Sequence, residues 1–296
     1  MLLVPKDELV LLSSNVPTIE DGIEVFDSSK TYNLGKTVQK DECIFESVKS
    51  ENKDVPLANQ TSPSWLYKGK VNKLRMFDDY MSTVTKYPEI ICEFRVSDID
   101  TVAFFNLQAI SVKVELYDRN EILLYSLEKD AYKRNVTNWY EWTVQKPIYE
   151  RTLFFKGLPF TLNCRLKITI KNPNDFAQCG YFMYGRSLDL GLTLLEPKPT
   201  SSIRNLLSKE RQSDGTVNFS NSRLYKRVTL NVVVESFRIT EIQNILEDYT
   251  VTPCLFIGVE RDDSLNALTV FGFYKDFDKP IGLDYTQYQI EIEGIV

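Results

Sequence analysis

Any chemistry in this chain has to be done without imidazole, because none of its 296 residues is a histidine. That excludes a Ser-His-Asp triad, a Cys-His pair and His-ligated zinc, iron or copper. Carboxylates, lysines, thiols and aromatic rings remain. The five cysteines, at positions 43, 92, 164, 179 and 254, form no Cys-x-x-Cys pair of the kind that zinc sites and dithiol couples use. Odd in number and scattered, they read as small buried residues in a reducing compartment. Asp98 and Asp100, with Asp78 and Asp79, offer hard oxygens suited to Ca²⁺, yet no EF-hand spacing or Gly-anchored ligand loop surrounds them. Asp27, Asp262-Asp263 and Asp276 are the acids available for a glycosidase-type pair, a role that demands a set separation between two carboxyl groups. No Walker A sequence, dinucleotide Gly pattern or Gly-x-Ser-x-Gly elbow occurs. The expectation is a non-enzymatic chain with no catalytic residue, no metal and no cofactor.

Aromatic residues are the better candidates for binding. Phe26, Tyr32, Phe45, Trp65 and Tyr67 fall within one short segment. Sugar rings have apolar C–H faces that stack on exposed aromatic planes, so Tyr32, Trp65 and Tyr67 are the candidate glycan-binding residues. The competing reading makes these rings the core of a small domain, and composition alone favours it. Trp139-Tyr140-Glu141-Trp142 is a second cluster. Placed in a strand, its two tryptophans point to opposite faces, one buried and one at an interface or ligand surface.

The elements that must hold these residues are mostly strands, and the fold class expected is mainly β. Residues 1–21 form an apolar lead-in whose Leu-rich start must be covered by its own domain or by a neighbouring subunit, which makes it a candidate docking segment. Residues 22–73 read as a small β-module, with short strands separated by Gly, Asn, Asp and Pro. Residues 74–195 read as a jelly-roll-like β-sandwich, with strands at Ile90 to Val96, Glu121 to Tyr125, Tyr140 to Val144 and Thr152 to Lys156. Cys164, Leu166, Ile168 and Ile170 alternate with polar residues as one face of a further strand. The apolar phase switches between Phe105 and Leu116, which predicts a β-bulge or bend near Ala109 to Ser111.

Residues 196–296 follow a Pro-Lys-Pro-Thr-Ser-Ser linker and read as a C-terminal α+β domain. A short helix is expected over Ile203 to Lys209, then a strand through Val228, Leu230, Val232 and Val234. Thr240-Glu241-Ile242-Gln243 has the form of a capping box. It opens an amphipathic helix with Ile242, Ile245, Leu246 and Tyr249 on one face, ended by Pro253. Strands follow at Cys254 to Val259, Leu268 to Lys275 and Tyr285 to Ile292.

Charge and hydropathy narrow the partners. The net charge is −6 and the pI about 5.1, which opposes binding to phosphate backbones. The basic stretches Lys68 to Arg75 and Arg223 to Arg227 read as solvated faces, so no nucleic acid is expected. No apolar run approaches the roughly 20 residues a spanning helix needs, so no membrane insertion is expected. Lys6, Asp7 and Glu8 interrupt the apolar start, which makes it a poor signal peptide and predicts that the chain stays where it is made.

Two resemblances sharpen these expectations. Phe26-Asp27-Ser28-Ser29-Lys30-Thr31-Tyr32-Asn33-Leu34-Gly35-Lys36-Thr37-Val38, then Ile44-Phe45-Glu46-Ser47, Pro56 and Trp65, resembles the small chitin-binding-type carbohydrate modules. Phe26 stands where those modules usually have Trp and Phe45 where they have Tyr, and Val48-Lys49-Ser50-Glu51 replaces their paired aromatics. Over nearly the whole chain, the ordered set of Ser13-Ser14-Asn15-Val16-Pro17, this module, Val71-Asn72-Lys73-Leu74-Arg75-Met76-Phe77-Asp78, Gly185-Arg186-Ser187-Leu188-Asp189-Leu190-Gly191 and Phe271-Gly272-Phe273-Tyr274-Lys275-Asp276-Phe277 is similar to a family of tailed-bacteriophage tail structural proteins. The resemblance implies a virion component near the tail tip, baseplate or fibres, assembled in the host cytoplasm. Its implied partners are other tail proteins and copies of itself. Host-surface glycan is an alternative partner through Tyr32, Trp65 and Tyr67, and a polysaccharide-degrading glycosidase is the lesser alternative.

Overall fold

The alternation at Cys164, Leu166, Ile168 and Ile170 builds the middle strand of a five-stranded antiparallel sheet. In the computed structural model, which describes residues 1–57, 59–78, 80–133, 138–144, 148–205, 209–211, 217–219, 224–259, 265–278 and 282–295, the strand Cys164–Lys171 lies between Glu89–Val96 and Ser111–Tyr117. Val10–Ser14 and Leu123–Asp130 form the two edges. Directly paired residues share a face. Val112, Val114 and Leu116 therefore line up with Ile170, Ile168 and Leu166, and these with Ile90, Cys92 and Phe94, as one buried face. The opposite face is charged, with Glu93, Lys167 and Glu115 paired in one row across three strands. Beside them the Arg165 guanidinium donates to Glu93 at 2.7 Å, pairs with Glu121 and lies 4.6 Å over the Tyr117 ring.

A three-stranded sheet, ordered Thr152–Lys156, Thr101–Phe105 and Tyr181–Gly185, provides the second layer. Phe94 of the first sheet stacks on Phe182 of the second with centroids 4.8 Å apart, and Phe104 reaches Phe182 at 5.1 Å and Phe155 at 6.0 Å. Two sheets closed over an aromatic core make the expected β-sandwich. The phase switch between Phe105 and Leu116 is the expected bend, at Ile110, rather than a bulge. The strands on either side of it, Thr101–Phe105 and Ser111–Tyr117, belong to different sheets, and the chain turns between them at Asn106, where φ is +49°.

The small module is also present as a sheet, ordered Glu24–Val25, Thr37–Lys40, Cys43–Ser47 and Trp65–Lys70. Its turn at Asn33 to Lys36 needs Gly35 at φ +80°, a conformation that a Cβ disfavours.

The chain divides into two units. One comprises Leu9–Ser97 and Val102–Met183, and so holds both the small module and the sandwich. The other comprises Met1–Glu8, Asp98–Thr101 and Tyr184–Val296. Its sheet is ordered Leu188–Asp189, Leu2–Pro5, Cys254–Ile257, Thr269–Asp278, Tyr285–Gly294, Leu224–Glu235 and Leu192–Thr193, with Thr200–Asn205 also on Leu224–Glu235. The helix Ile239–Asp248 buries Ile239, Ile242 and Leu246 against Val228, Leu230, Val232 and Ile290 of this sheet.

Several expectations are corrected. The lead-in is not a free docking segment: Leu2–Pro5 is an inner strand with Leu3 and Val4 fully buried, and Val10–Ser14 is a sandwich edge. The C-terminal domain begins before residue 196, since Leu188–Asp189 and Leu192–Thr193 already belong to its sheet. The capping box does not form, because the helix starts from a 3-10 turn at Ser236–Arg238 that carries Thr240 inside it, where its hydroxyl has no end to cap. Instead Arg238 donates to the Asp189 carboxylate and carbonyl, each at 3.0 Å. Tyr140 to Val144 lies in a short helix, Trp139–Val144, rather than a strand. Ile203 to Asn205 is strand rather than helix, paired with Leu224 to Lys226, as is Lys209–Arg211; residues 206–208 lie outside the described residues. The strand expected at Glu121 to Tyr125 starts later, at Leu123, because the Asp118 carboxylate accepts from the Asn120 and Ile122 amides, both at 2.8 Å, and holds that stretch as a turn.

All five cysteines are free and buried. Burial pushes the Cys92 thiol up from 9.0 to about 11 and the Cys254 thiol to about 12. A water-soluble disulfide reagent at pH 8 is therefore expected to leave the five thiols unmodified in the folded protein and to titrate them once denaturant is added. Rapid modification of the native chain would contradict this burial.

Candidate functional site

A glycan platform needs ring faces open to solvent, and the structure turns the candidate rings inward. Trp65 is 0% exposed and Tyr32 3%. The strand register sets Trp65 opposite Ser47 and Tyr67 opposite Phe45, which puts these rings on the face that carries Val38 and Cys43. Trp65 meets Phe26 edge-on at 5.9 Å and Tyr32 at 5.6 Å, and Phe26 stacks on Tyr32 at 5.5 Å. Their polar ends are satisfied internally. The Trp65 indole N–H donates to the Asp54 carbonyl at 2.7 Å, and the Tyr32 hydroxyl accepts from the Asp27 amide at 2.7 Å. Tyr67 is half-buried against Phe45 at 5.7 Å, and burial pushes its phenol up. The expected platform of Tyr32, Trp65 and Tyr67 is thus corrected to a core: a module this small has few other apolar side chains to bury.

The loop from Val48 to Ser64 is organised by Asn52, which is fully buried. Its side-chain amide donates to the Ser47 hydroxyl at 2.9 Å and the Ser64 carbonyl at 2.7 Å, and its oxygen accepts from the Asp54 amide at 3.0 Å. Asp54 in turn takes Lys49 at 2.5 Å and the Ser64 hydroxyl, which hold its carboxyl below the usual range.

The candidate acids do not converge. Asp98 pairs with Arg186 at 2.6 Å, Asp100 accepts from the Ser187 amide and hydroxyl, and Asp78 accepts from Thr83 and the Tyr80 amide. Asp79 and Asp262-Asp263 lie outside the described residues. Asp27 accepts from Ser29, and Asp27 and Asp276 belong to different units. Among the described residues, no group of three or more Cys, Asp or Glu is placed to hold a metal ion. Within the basic stretches Lys68 pairs with Glu46, Arg75 with Glu20 and Arg227 with Glu291, while Arg223 lies outside the described residues.

Three surface features stand out among the described residues. Trp139 is 84% exposed on its short helix; the Trp142 side chain lies outside the described residues. The edge strand Leu123–Asp130 presents Leu123 (49% exposed) on one sheet face and Leu127 (39%) on the other, with Ile122 and Leu124 also exposed. A cleft in the same unit gathers Glu20, Asp21, Arg75, Lys86, Tyr87 and Phe176. Sequence reasoning named neither the edge nor the cleft. The adjacent leucines at 123 and 124 were the only signal for the edge, since a strand covered on one face does not place two side by side. No helix among the described residues is long and apolar enough to cross a membrane. No family model, no curated protein and no solved structure matches the chain.

Two measurements test this account of the site residues. Trp65→Ala should destabilise its unit by about 3–5 kcal/mol in denaturant titrations, the range for emptying a large aromatic site, whereas Tyr67→Ala should cost clearly less. Equal effects would show that Trp65 is not the centre of the module. Lys226, whose ammonium donates to the Thr269 carbonyl at 2.8 Å, is pushed down by burial from 10.5 to about 8. The folded state thus holds that proton less tightly than the unfolded chain, and its charge costs stability fully below pH 8. Lys226→Met is expected to melt higher than the parent at pH 7, less the lost hydrogen bond. That gain should shrink as pH rises from 8 toward 10.5 in thermal scans.

Proposed function

We propose that this chain is a structural, non-enzymatic component of a tailed-phage tail, at the tip, baseplate or fibre-connecting region. It works by protein–protein assembly with other tail proteins and with copies of itself. The observation that carries the reading is the edge strand Leu123–Asp130. An eight-residue edge strand offers a row of unpaired backbone groups, and chains that remain alone blunt such edges with charge, bulges or covering loops. The opposite edge, Val10–Ser14, shows that remedy, since it is short and shifts register between Leu11 and Ser13. Leu123–Asp130 also shifts register, at Leu124, and ends in Glu128, Lys129 and Asp130, but it places leucines on both faces of the edge, which suits continuation of the sheet into another subunit. The absence of histidine and the internal pairing of the candidate acids fit a building block better than a catalyst. The ordered resemblance to tail structural proteins supplies the setting, a virion tail.

The test is the mass of the assembled species. The full chain is expected to form oligomers whose mass in light scattering rises with concentration. The double variant Leu123→Lys, Leu124→Lys should keep its circular dichroism and weaken association by roughly a hundredfold or more, given the apolar burial two leucines lose. A wild-type chain that stays monomeric throughout, together with its absence from purified particles by mass spectrometry, would remove the proposal.

A further inference from the structure

We propose that the cleft beside the small module is a binding site for a short, neutral saccharide. It stands on features independent of the edge strand, so either reading can fail alone. The cleft, of about 360 Å³, lies within one unit and is built from four separate stretches of chain. Glu20 and Asp21 end the lead-in, Arg75 sits on the 3-10 turn Asn72–Phe77, and Lys86 and Tyr87 end the strand Thr85–Tyr87. Phe176 closes the side contributed by the turn that begins at Asn172.

The polar wall is held in place before any ligand arrives. Arg75 donates to Glu20 at 2.8 Å and to the Lys70 carbonyl at 3.2 Å. The Asn72 backbone amide donates to the same Glu20 carboxylate, while the Asn72 side chain exchanges two hydrogen bonds with the Lys86 backbone, at 2.8 and 2.9 Å. Glu20 and Arg75 are both largely covered, with 17% and 30% of their side chains exposed. Groups fixed in this way lose little freedom on binding. Hydrogen-bonding capacity is left over: among the described residues, the Asp21 carboxylate and the Tyr87 hydroxyl make no hydrogen bond.

The composition of the lining selects the ligand. Two carboxylates, Glu20 and Asp21, face two cations, Arg75 and Lys86, so the formal charge of the wall sums to zero and a polyanion gains nothing from it. Phe176 is 45% exposed, and the Lys86 ammonium lies over one face of its ring, 5.2 Å from the centroid. An aromatic plane next to fixed carboxylate and guanidinium groups matches a pyranose, which has an apolar C–H face and a rim of hydroxyls that both donate and accept. The volume falls at the lower end of the range for small-molecule sites, which fits a short oligosaccharide rather than a polymer lying flat.

A printed array of neutral hexose and N-acetylhexosamine oligosaccharides, with sialylated and sulfated ones as the acidic arm, tests this on the full chain. Calorimetry then measures each hit. The expected result is binding to at least one neutral class, weakened roughly tenfold or more by Phe176→Ala and by Asp21→Ala. Phe160→Ala, an exposed ring that does not line the cleft, should bind as the parent does. Circular dichroism and melting confirm that each variant is folded. Capture of acidic glycans alone would overturn the proposal. So would neutral binding unchanged in both cleft variants, or no binding by the folded parent at millimolar sugar.

Discussion

The stacking of Phe94 on Phe182, 4.8 Å between centroids, is the contact on which the sandwich depends. It joins the strand Glu89–Val96 of the five-stranded sheet to the three-stranded one. Phe104 and Phe77 pack around the same pair, so the two layers share one aromatic seam. Each sheet by itself would leave one apolar face in water, and neither would be stable alone. Once the seam closes, the strand faces are no longer interchangeable. Ile90, Cys92, Val112, Val114, Leu166 and Ile168 must point inward, and Glu93, Lys167, Glu115 and Arg165 must point out. The charged exterior is a consequence of that choice rather than an independent feature.

The same constraint explains the path of the chain's start. A sheet edge made of Cys254–Ile257 would present fully buried-type residues, Leu255 and Ile257 among them, beside unpaired backbone groups. Leu2–Pro5 covers that edge and contributes Leu3 and Val4, both inaccessible to solvent. Residues remote in sequence thereby become neighbours in one sheet, as Leu3 with Leu188 and with Phe256. Gly185 allows a similar closeness, because a Cβ there would sit 2.0 Å from the Pro5 carbonyl oxygen. Long-range strand pairing of this kind carries a large loop-closure cost and implies slow, cooperative folding rather than assembly from local pieces.

The aromatic residues show how burial decides between two uses of the same side chain. Trp65 and Tyr32 have the chemistry of a sugar platform, but their indole N–H and hydroxyl are already bonded to the backbone of their own loop. Phe176 and Tyr87 carry no conspicuous motif, yet a fixed polar wall stands beside them. A ring with its polar end satisfied inside the fold is structural, and one left at a cleft is available for recognition.

Residue types and periodicity were enough to establish the mainly β class, the strands at 90–96, 152–156 and 164–170, the apolar face of the helix at Ile242, Ile245 and Leu246, and the burial of the thiols. These are local properties, set by which side chains repeat every second or every fourth position. The capping box failed because the chain upstream was already turning at Ser236–Arg238, where Arg238 is drawn to Asp189, a partner 49 residues away. Trp139 to Val144 became helix although its residues favour strands, since a propensity of this size yields to its surroundings. The exposed edge at Leu123–Asp130 and the cleft of Glu20, Arg75, Lys86 and Phe176 existed only once the sheets had closed. Their members are separated by tens of residues, and no one-dimensional period records which distant stretches a shared core brings side by side.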